Sequence, residues 1–486
     1  MAEPDGNPRW RRHRRAGAGI GGGNPHASNA MNVLMLGWEF PPFFAGGVGV
    51  VCEAMTRALS HRGMGVTYLM PRGPERTTGA GVRVLSTSGT LPAPAAVHPA
   101  AGSAATCAHD AGARDIAGRI AKLCYAAGSG NRAFAGSIDG AAGRRCDAGA
   151  SLVAGACSVS GTTRAAAAWS QGVPASGCGS LYGSGLLADI DAFAAAVVDR
   201  VVAAGIDYEV IHAHDWTTFR AGLELRRATG KPLVAHVHIT EFDKSGGEHA
   251  DPAIYALERE GMLGADVVVT VSERVRRSCI ERYQVPAHRC EVVYNGVEAD
   301  TAVLDPVCLD APMILFLGRV TLQKGPAYFL EAAARVHAAE PGVRFVMAGA
   351  GDMLPAMVEQ AAELGLGGSI LFPGFVDRHQ AAILYRSASV FVMPSVSEPF
   401  GIVPLEAMDQ CVPTIVSRQS GAAEVLRNAM KADFWNVEEL AEKMLAAIRY
   451  HGLARELARN GRREVARMGW DGVAAELESL YCRTIP

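Results

Sequence analysis

Short runs of Val, Ile and Leu recur along the chain without polar alternation, the pattern of strands buried on both faces of a parallel sheet. They fall at residues 32–37, 66–70, 208–213, 233–237, 266–271, 313–317, 344–348, 388–393 and 413–416. Stretches with helical spacing lie between them, among them residues 48–60, 326–339 and 437–449. Strand and helix in alternation predict an α/β fold with doubly wound parallel sheets. The series breaks near 297–312, where Pro306 and Pro312 interrupt it. The expectation is therefore two Rossmann-like domains facing a central cleft, one over 31–300 and one over 311–470, followed by a helical stretch at 471–486. Ligand loops belong at the carboxyl ends of the strands.

Composition adds limits. The chain has 486 residues, of which 49% are apolar, and its formal charge is −3 from 46 basic and 49 acidic side chains. That balance excludes a strongly basic nucleic-acid binder. No apolar run approaches the length of a membrane span. The 11 Cys are scattered, with no Cys-x-x-Cys, so neither a disulfide framework nor a zinc ribbon is expected. With no secretory signal either, the reading is a cytoplasmic protein with reduced thiols.

Two stretches depart from the βα pattern. Residues 1–30 are rich in Gly, Asn and Arg and carry the basic cluster Arg9 to Arg15; they read as a disordered extension. Residues 101–180 hold 23 Ala and 14 Gly but only 9 Leu, Ile, Val or Phe. Such a stretch buries too little apolar surface to offset chain entropy. Residues 79–180 are accordingly expected to be poorly ordered or aberrant.

Candidate chemistry follows the strands. After 313–317 come Gly318-Arg319 and, at a helix start, Lys324-Gly325. Two cations beside a helix N-terminus suit a diphosphate; a solvated surface pair is the alternative. After 388–393 come Glu398-Pro399-Phe400-Gly401-Ile402 and then Glu406. The two carboxylates, eight positions apart, can face one cleft and bind vicinal hydroxyls.

The ordered set of motifs resembles the retaining glycosyltransferases of family 4, of the glycogen/starch synthase type, which have the two-domain GT-B fold. It comprises Gly46-Gly47-Val48-Gly49, His212-Ala213-His214-Asp215-Trp216, His236-Val237-His238, Gly318-Arg319…Lys324-Gly325, Gly349-Ala350-Gly351-Asp352 and Glu398…Glu406. The resemblance implies that Gly46 and Gly47 approach the donor phosphate and that Arg319 and Lys324 hold the diphosphate. It places Glu406 on the ribose and Glu398 near the transferred sugar, with the N–H groups of Phe400, Gly401 and Ile402 toward its hydroxyls. Gly349 and Gly351 join the nucleotide-sugar site. His238 stands near the sugar 6-hydroxyl and the reacting carbon, and Asp215 beside sugar and acceptor. Ser420-Gly421-Ala422-Ala423-Glu424 resembles a Gly-Gly-x-x-Glu turn with Ala422 at the second Gly. The last helix crosses back to the N-terminal domain.

The implied activity is transfer of a hexosyl group, glucose first, from ADP- or UDP-glucose to a glycan such as glycogen or another α-glucan. No cofactor or metal is expected. GDP-mannose, with a lipid-linked, small-glycoside or exopolysaccharide acceptor, is the alternative. Two rival classes stand further off. His212, His214, Asp215, His236 and His238 form two His-x-His groups that a metal-dependent hydrolase could use. A nicotinamide dehydrogenase would need a Gly-x-Gly-x-x-Gly, which Gly349-Ala350-Gly351 does not complete. An inactive homologue is the remaining alternative.

Overall fold

The computed structural model describes residues 31–42, 47–88, 118–120, 185–247, 249–298 and 309–485. The basic extension at 1–30, residues 89–117 and 121–180 of the Ala/Gly-rich stretch, and Gly46 lie outside the described residues.

Strands β1 (Asn32–Leu36), β2 (Gly65–Met70), β3 (Arg76–Thr77), β4 (Arg83–Ser86), β5 (Val210–His214), β6 (Leu233–Val237), β7 (Val267–Thr270) and β8 (Cys290–Val292) form one sheet in the order β3-β4-β2-β1-β5-β6-β7-β8. Strands β9 (Met313–Leu317), β10 (Arg344–Ala348), β11 (Ile370–Gly374), β12 (Val390–Met393), β13 (Thr414–Ser417) and β14 (Met430–Ala432) form a second, in the order β11-β10-β9-β12-β13-β14. All pairings are parallel except β3 with β4. Every residue of β5, β6 and β10 is buried. That is why these strands read as runs without polar alternation, even though β5 carries His212 and His214, β6 carries His236 and β10 begins at Arg344.

Two features correct the expected segment at 79–180. Arg83–Ser86 is a strand in register with β2, pairing Tyr68 with Val84 and Leu69 with Leu85. Ile120 is fully buried in the same core as Phe193 and Val197. Val82, Val84 and Leu85 are buried apolar side chains; they precede 101–180, so the poverty of that stretch in apolar residues does not extend to them.

Local chemistry sets the helix ends. Ser272, Asp251 and Asn436 each accept a first-turn backbone N–H, the N-cap role of short polar side chains. Gly230 closes the helix Trp216–Thr229 in the left-handed conformation, φ 70°, where glycine carries no Cβ penalty.

The chain crosses between the sheets twice, and the two crossings are hydrogen-bonded together. Val297 N donates to Met468 O at 2.8 Å. A Cβ on Gly296 would lie 2.8 Å from Trp470 N, so the segments pass at backbone contact. The helix Trp470–Thr484 packs on the helix Gly47–His61 and buries Val473, Ala474, Leu477, Leu480 and Tyr481 among residues of β1 and β2. The core is continuous between the sheets through Tyr294, Val297, Phe400, Ala422 and Met468.

Leu477 is fully buried in that contact. Leu477→Ala is expected to lower the unfolding free energy by about 3 kcal/mol, measured by urea denaturation. A loss below about 1 kcal/mol would contradict the docking of this helix.

Candidate functional site

Both sheets reverse their winding, the first between β1 and β5 and the second between β9 and β12. Open α/β sheets bind ligands outside the carboxyl ends of the strands at such points. The sequence-predicted residues gather there. Asp215 follows β5 and His238 follows β6; Arg319 and Lys324 follow β9; Glu398 follows β12.

At the second switch point the Lys324 ammonium meets the Glu398 carboxylate in an ion pair, with side chains 15% and 7% exposed. Ser395 Oγ donates to the same Glu398 oxygen at 3.3 Å. Arg319, on the same loop as Lys324, donates from Nη2 to Gln323 Oε1 at 3.1 Å. Glu406, one helix further on, accepts from the Tyr385 hydroxyl at 2.9 Å. Burial and the adjacent carboxylate hold that phenol well above its usual range.

Glycines bring these loops together. A Cβ on Gly349 (φ 142°) would lie 1.7 Å from Gly318 O, and one on Gly351 would lie 2.1 Å from Val320 O. Both positions therefore pack the loop after β10 against the loop bearing Arg319. Gly401 (φ 93°) lets the chain turn past the Glu398 side chain. The Phe400 ring packs toward Tyr294, with centroids 6.1 Å apart, and Ile402 leads directly into the helix Val403–Asp409.

In the first sheet, Gly47 opens the helix Gly47–His61, and Gly49 N donates to the buried Glu39 carboxylate at 2.9 Å. Asp215 holds φ 58°, a strained value for a residue with a Cβ. Its Oδ1 accepts from His238 N at 2.7 Å and from Ile239 N at 3.4 Å. This oxygen thus fixes the backbone that carries His238. Burial raises the Asp215 carboxyl to about 7, against the pull of those two N–H groups.

Four imidazoles share this end of the sheet. His214 Nδ1 lies 2.9 Å from His238 Nε2, His212 Nε2 lies 3.1 Å from His236 Nδ1, and His212 Nδ1 lies 2.6 Å from the Tyr481 hydroxyl of the last helix. Burial lowers His212 and His238 to about 3 and holds His214 and His236 well below the usual imidazole value. All four are neutral at physiological pH.

The two halves of the site meet through residues that sequence reasoning missed. Ser397, beside Glu398, donates to Asp243 Oδ1 at 2.8 Å and accepts from Arg274 Nη2 at 3.0 Å. Glu424 accepts from Glu273 N, Arg274 N and the Tyr294 hydroxyl, capping a helix of the first sheet from the second. Of these residues the sequence marks Glu424 alone, through the 420–424 turn. Nothing local marks Asp243, Arg274, Ser397, Tyr385 or Glu39, whose partners are distant in sequence.

Comparisons agree with this architecture. The model for glycosyl transferases group 1 matches residues 308–464, that for glycosyltransferase family 4 matches 179–301, and that for the starch synthase catalytic domain matches 32–104. An uncharacterized glycosyltransferase of Methanocaldococcus jannaschii is 32% identical over 302 residues, covering 57% of this chain and 76% of its own. A D-inositol 3-phosphate glycosyltransferase of Thermobispora bispora is 27% identical, covering 57% and 71%. Among solved structures, sucrose-phosphate synthase from Thermosynechococcus elongatus superposes with a TM-score of 0.63 at 18% identity, over 93% of this chain and 98% of that one. Anabaena HepE in complex with UDP and glucose does so with a TM-score of 0.60 at 16% identity, over 93% and 100%. These are GT-B glycosyltransferases. Among the described residues no helix is long and apolar enough to cross a membrane.

The raised Asp215 carboxyl has a consequence for stability. The folded protein holds this proton up to about pH 7, whereas an unfolded Asp releases it near 3.8. The stabilisation is present below the unfolded value and is lost as pH rises through 7. Wild type should therefore lose stability relative to Asp215→Asn between pH 4 and 7, by up to about 1.4 kcal/mol per pH unit. Urea midpoints of both proteins across that range check this; parallel profiles would sink it.

Proposed function

The chain belongs to the glycosyltransferases of group 1 and family 4, with the GT-B fold, and from that premise we propose a retaining hexosyltransferase that moves glucose from ADP- or UDP-glucose to an α-glucan. The observation that carries this reading is the Lys324–Glu398 pair across the β9/β12 switch point, with Arg319 on the same loop. The pair is a cation and a carboxylate held ready where a nucleotide-sugar would lie.

On donor binding, Lys324 exchanges Glu398 for the diphosphate and Arg319 takes a second oxygen. Arg chelates two oxygens while Lys acts as a mobile charge. Glu398, released from the ammonium, accepts from sugar hydroxyls; Glu406 does the same for the ribose. Charge developing on the leaving diphosphate is met by fixed cations, so the transfer needs no divalent ion at the donor. Retention follows a front-face path: the leaving phosphate oxygen takes the acceptor proton as the glycosidic bond forms on the face being vacated. His238, held by Asp215 through its own N–H, orients the sugar beside the reacting carbon. Residues on both sheets contribute, and their approach excludes water.

HepE, crystallised with UDP-glucose, supports the donor class. A second reading rests on the names of the relatives, which link transfer to inositol phosphate and sucrose phosphate: a small phosphorylated polyol or sugar would replace the glucan as acceptor.

Nucleotide release from ADP-glucose, UDP-glucose and GDP-mannose, with and without glycogen or inositol phosphate, tests the assignment. Release stimulated by glycogen supports the glucan reading, and stimulation by inositol phosphate alone replaces it with the second. Release from none of the donors contradicts both. Glu398→Gln and Lys324→Gln should each lower kcat/KM by roughly 10²-fold or more, with circular dichroism unchanged. Turnover within about threefold of wild type would remove that residue from the chemistry.

A further inference from the structure

The four imidazoles of β5, β6 and the residue after β6 (His212, His214, His236 and His238) hold more nitrogen than their hydrogen bonds use. His214 Nε2, His236 Nε2 and His238 Nδ1 are buried and lack any hydrogen-bond partner. Buried polar atoms are nearly always satisfied, and a cluster of exceptions points to a missing ion or water. The rings sit close: centroids of His212 and His214 are 4.3 Å apart, those of His236 and His238 are 4.2 Å apart, and those of His212 and His236 are 5.2 Å apart with ring planes 4° from parallel. One ring nitrogen each of His212, His214 and His236 lies within 4.8 Å of the others.

We propose that His212, His214 and His236 bind a divalent transition-metal ion of the zinc class, which holds the end of the sheet and orients His238 without taking part in glycosyl transfer. His212 Nε2 and His236 Nδ1 are 3.1 Å apart, close to the roughly 3.3 Å between two nitrogens on one tetrahedral zinc. The ion replaces the proton they share. His214, whose Nε2 is unpartnered, supplies the third ligand. Three imidazoles select zinc, copper or nickel over magnesium or calcium.

Outer partners are in place for two of the three ligands, while His236, bound through Nδ1, carries its proton on Nε2, which has no hydrogen-bond partner among the described residues. A metal-bound imidazole donates its remaining N–H to a fixed acceptor. His212 Nδ1 faces the Tyr481 oxygen, and His214 Nδ1 faces His238 Nε2. Bound through Nε2, His214 must carry its proton on Nδ1, so His238 accepts at Nε2 and keeps its proton on Nδ1. The ion thereby sets the tautomer of His238.

A second trio, Cys52, His214 and His238, also lies within ligand distance. It is the weaker site, because burial drives the Cys52 thiol upward and a metal needs the thiolate. It would also remove His238 from the cleft. The role given to His238 rests on the transfer reading above; the metal site does not.

The test uses the full chain, free of any histidine tag, purified from zinc-supplemented medium. Elemental analysis should find about one equivalent of zinc after gel filtration. Chelation should lower the melting temperature by at least about 5 °C, and added zinc but not magnesium should restore it. Cobalt(II) added to the stripped protein should give visible d–d bands of a low-coordinate nitrogen site. His236→Leu should leave less than about 0.1 equivalent; Cys52→Ala should keep the full content. Metal below about 0.1 equivalent in wild type, with no cobalt bands and no zinc-dependent melting shift, would overturn the site and leave a buried water in its place. Loss of metal in Cys52→Ala would overturn the choice of ligands. None of these readouts uses glycosyl transfer, so the metal site stands or falls independently of the donor screen.

Discussion

Two parallel sheets buried on both faces leave an unpaired charge nowhere to sit but past the strand ends, and the imidazoles of His212 and His236 stay within β5 and β6 only as neutral groups. Along β5, β6 and β10 every side chain is enclosed, and an unpaired charge there would cost several kcal/mol. Functional groups are therefore pushed past the carboxyl ends, and the reversal of winding opens a space between the loops that carry them. The positions of Asp215, His238, Arg319, Lys324 and Glu398 all follow from that exclusion.

The same enclosure dictates their states. Glu398 and Lys324 are desolvated enough that each requires the other until a ligand replaces one of them. The histidines solve the problem differently, by remaining neutral and pairing one nitrogen with another, while His214 Nε2, His236 Nε2 and His238 Nδ1 stay without a hydrogen-bond partner. Asp215 is an intermediate case: its carboxylate is held by backbone N–H groups, yet burial keeps it near the edge of ionisation. The strained backbone at this residue is the geometric cost of aiming one oxygen at the loop after β6.

The two halves of the site are joined by polar contacts and a shared apolar core. Tyr294, Val297, Phe400 and Met468 form the continuous core near the crossings. Ser397, bridging Asp243 and Arg274, and Glu424, capping the helix Glu273–Glu281, form polar contacts between the halves, of which Ser397 and Asp243 are buried. Because Ser397 and Asp243 are buried, losing either partner would leave the other unsatisfied, which ties the two halves firmly at this point. The C-terminal helix belongs to this system too, because Tyr481 ends against His212.

The fold class, the central strands and the order of the chemistry along the chain are all legible in the amino-acid sequence. Burial on both faces writes itself as continuous apolar runs, and glycines and charges at run ends are visible without coordinates. Strands β3, β8 and β14, of two or three residues each, carry too few side chains to show any period. β4, of four residues, is little longer, and it lies just ahead of the Ala/Gly-rich stretch whose composition does not cover it. Partner choice is made only in three dimensions. Ser397 and Asp243 are 154 positions apart, and His212 and Tyr481 are 269 apart; no local pattern encodes such a distance. Asp215 shows the division most clearly. Its type and place after β5 are legible, but whether its oxygen faces a sugar or the backbone of His238 depends on a φ angle that folding alone imposes.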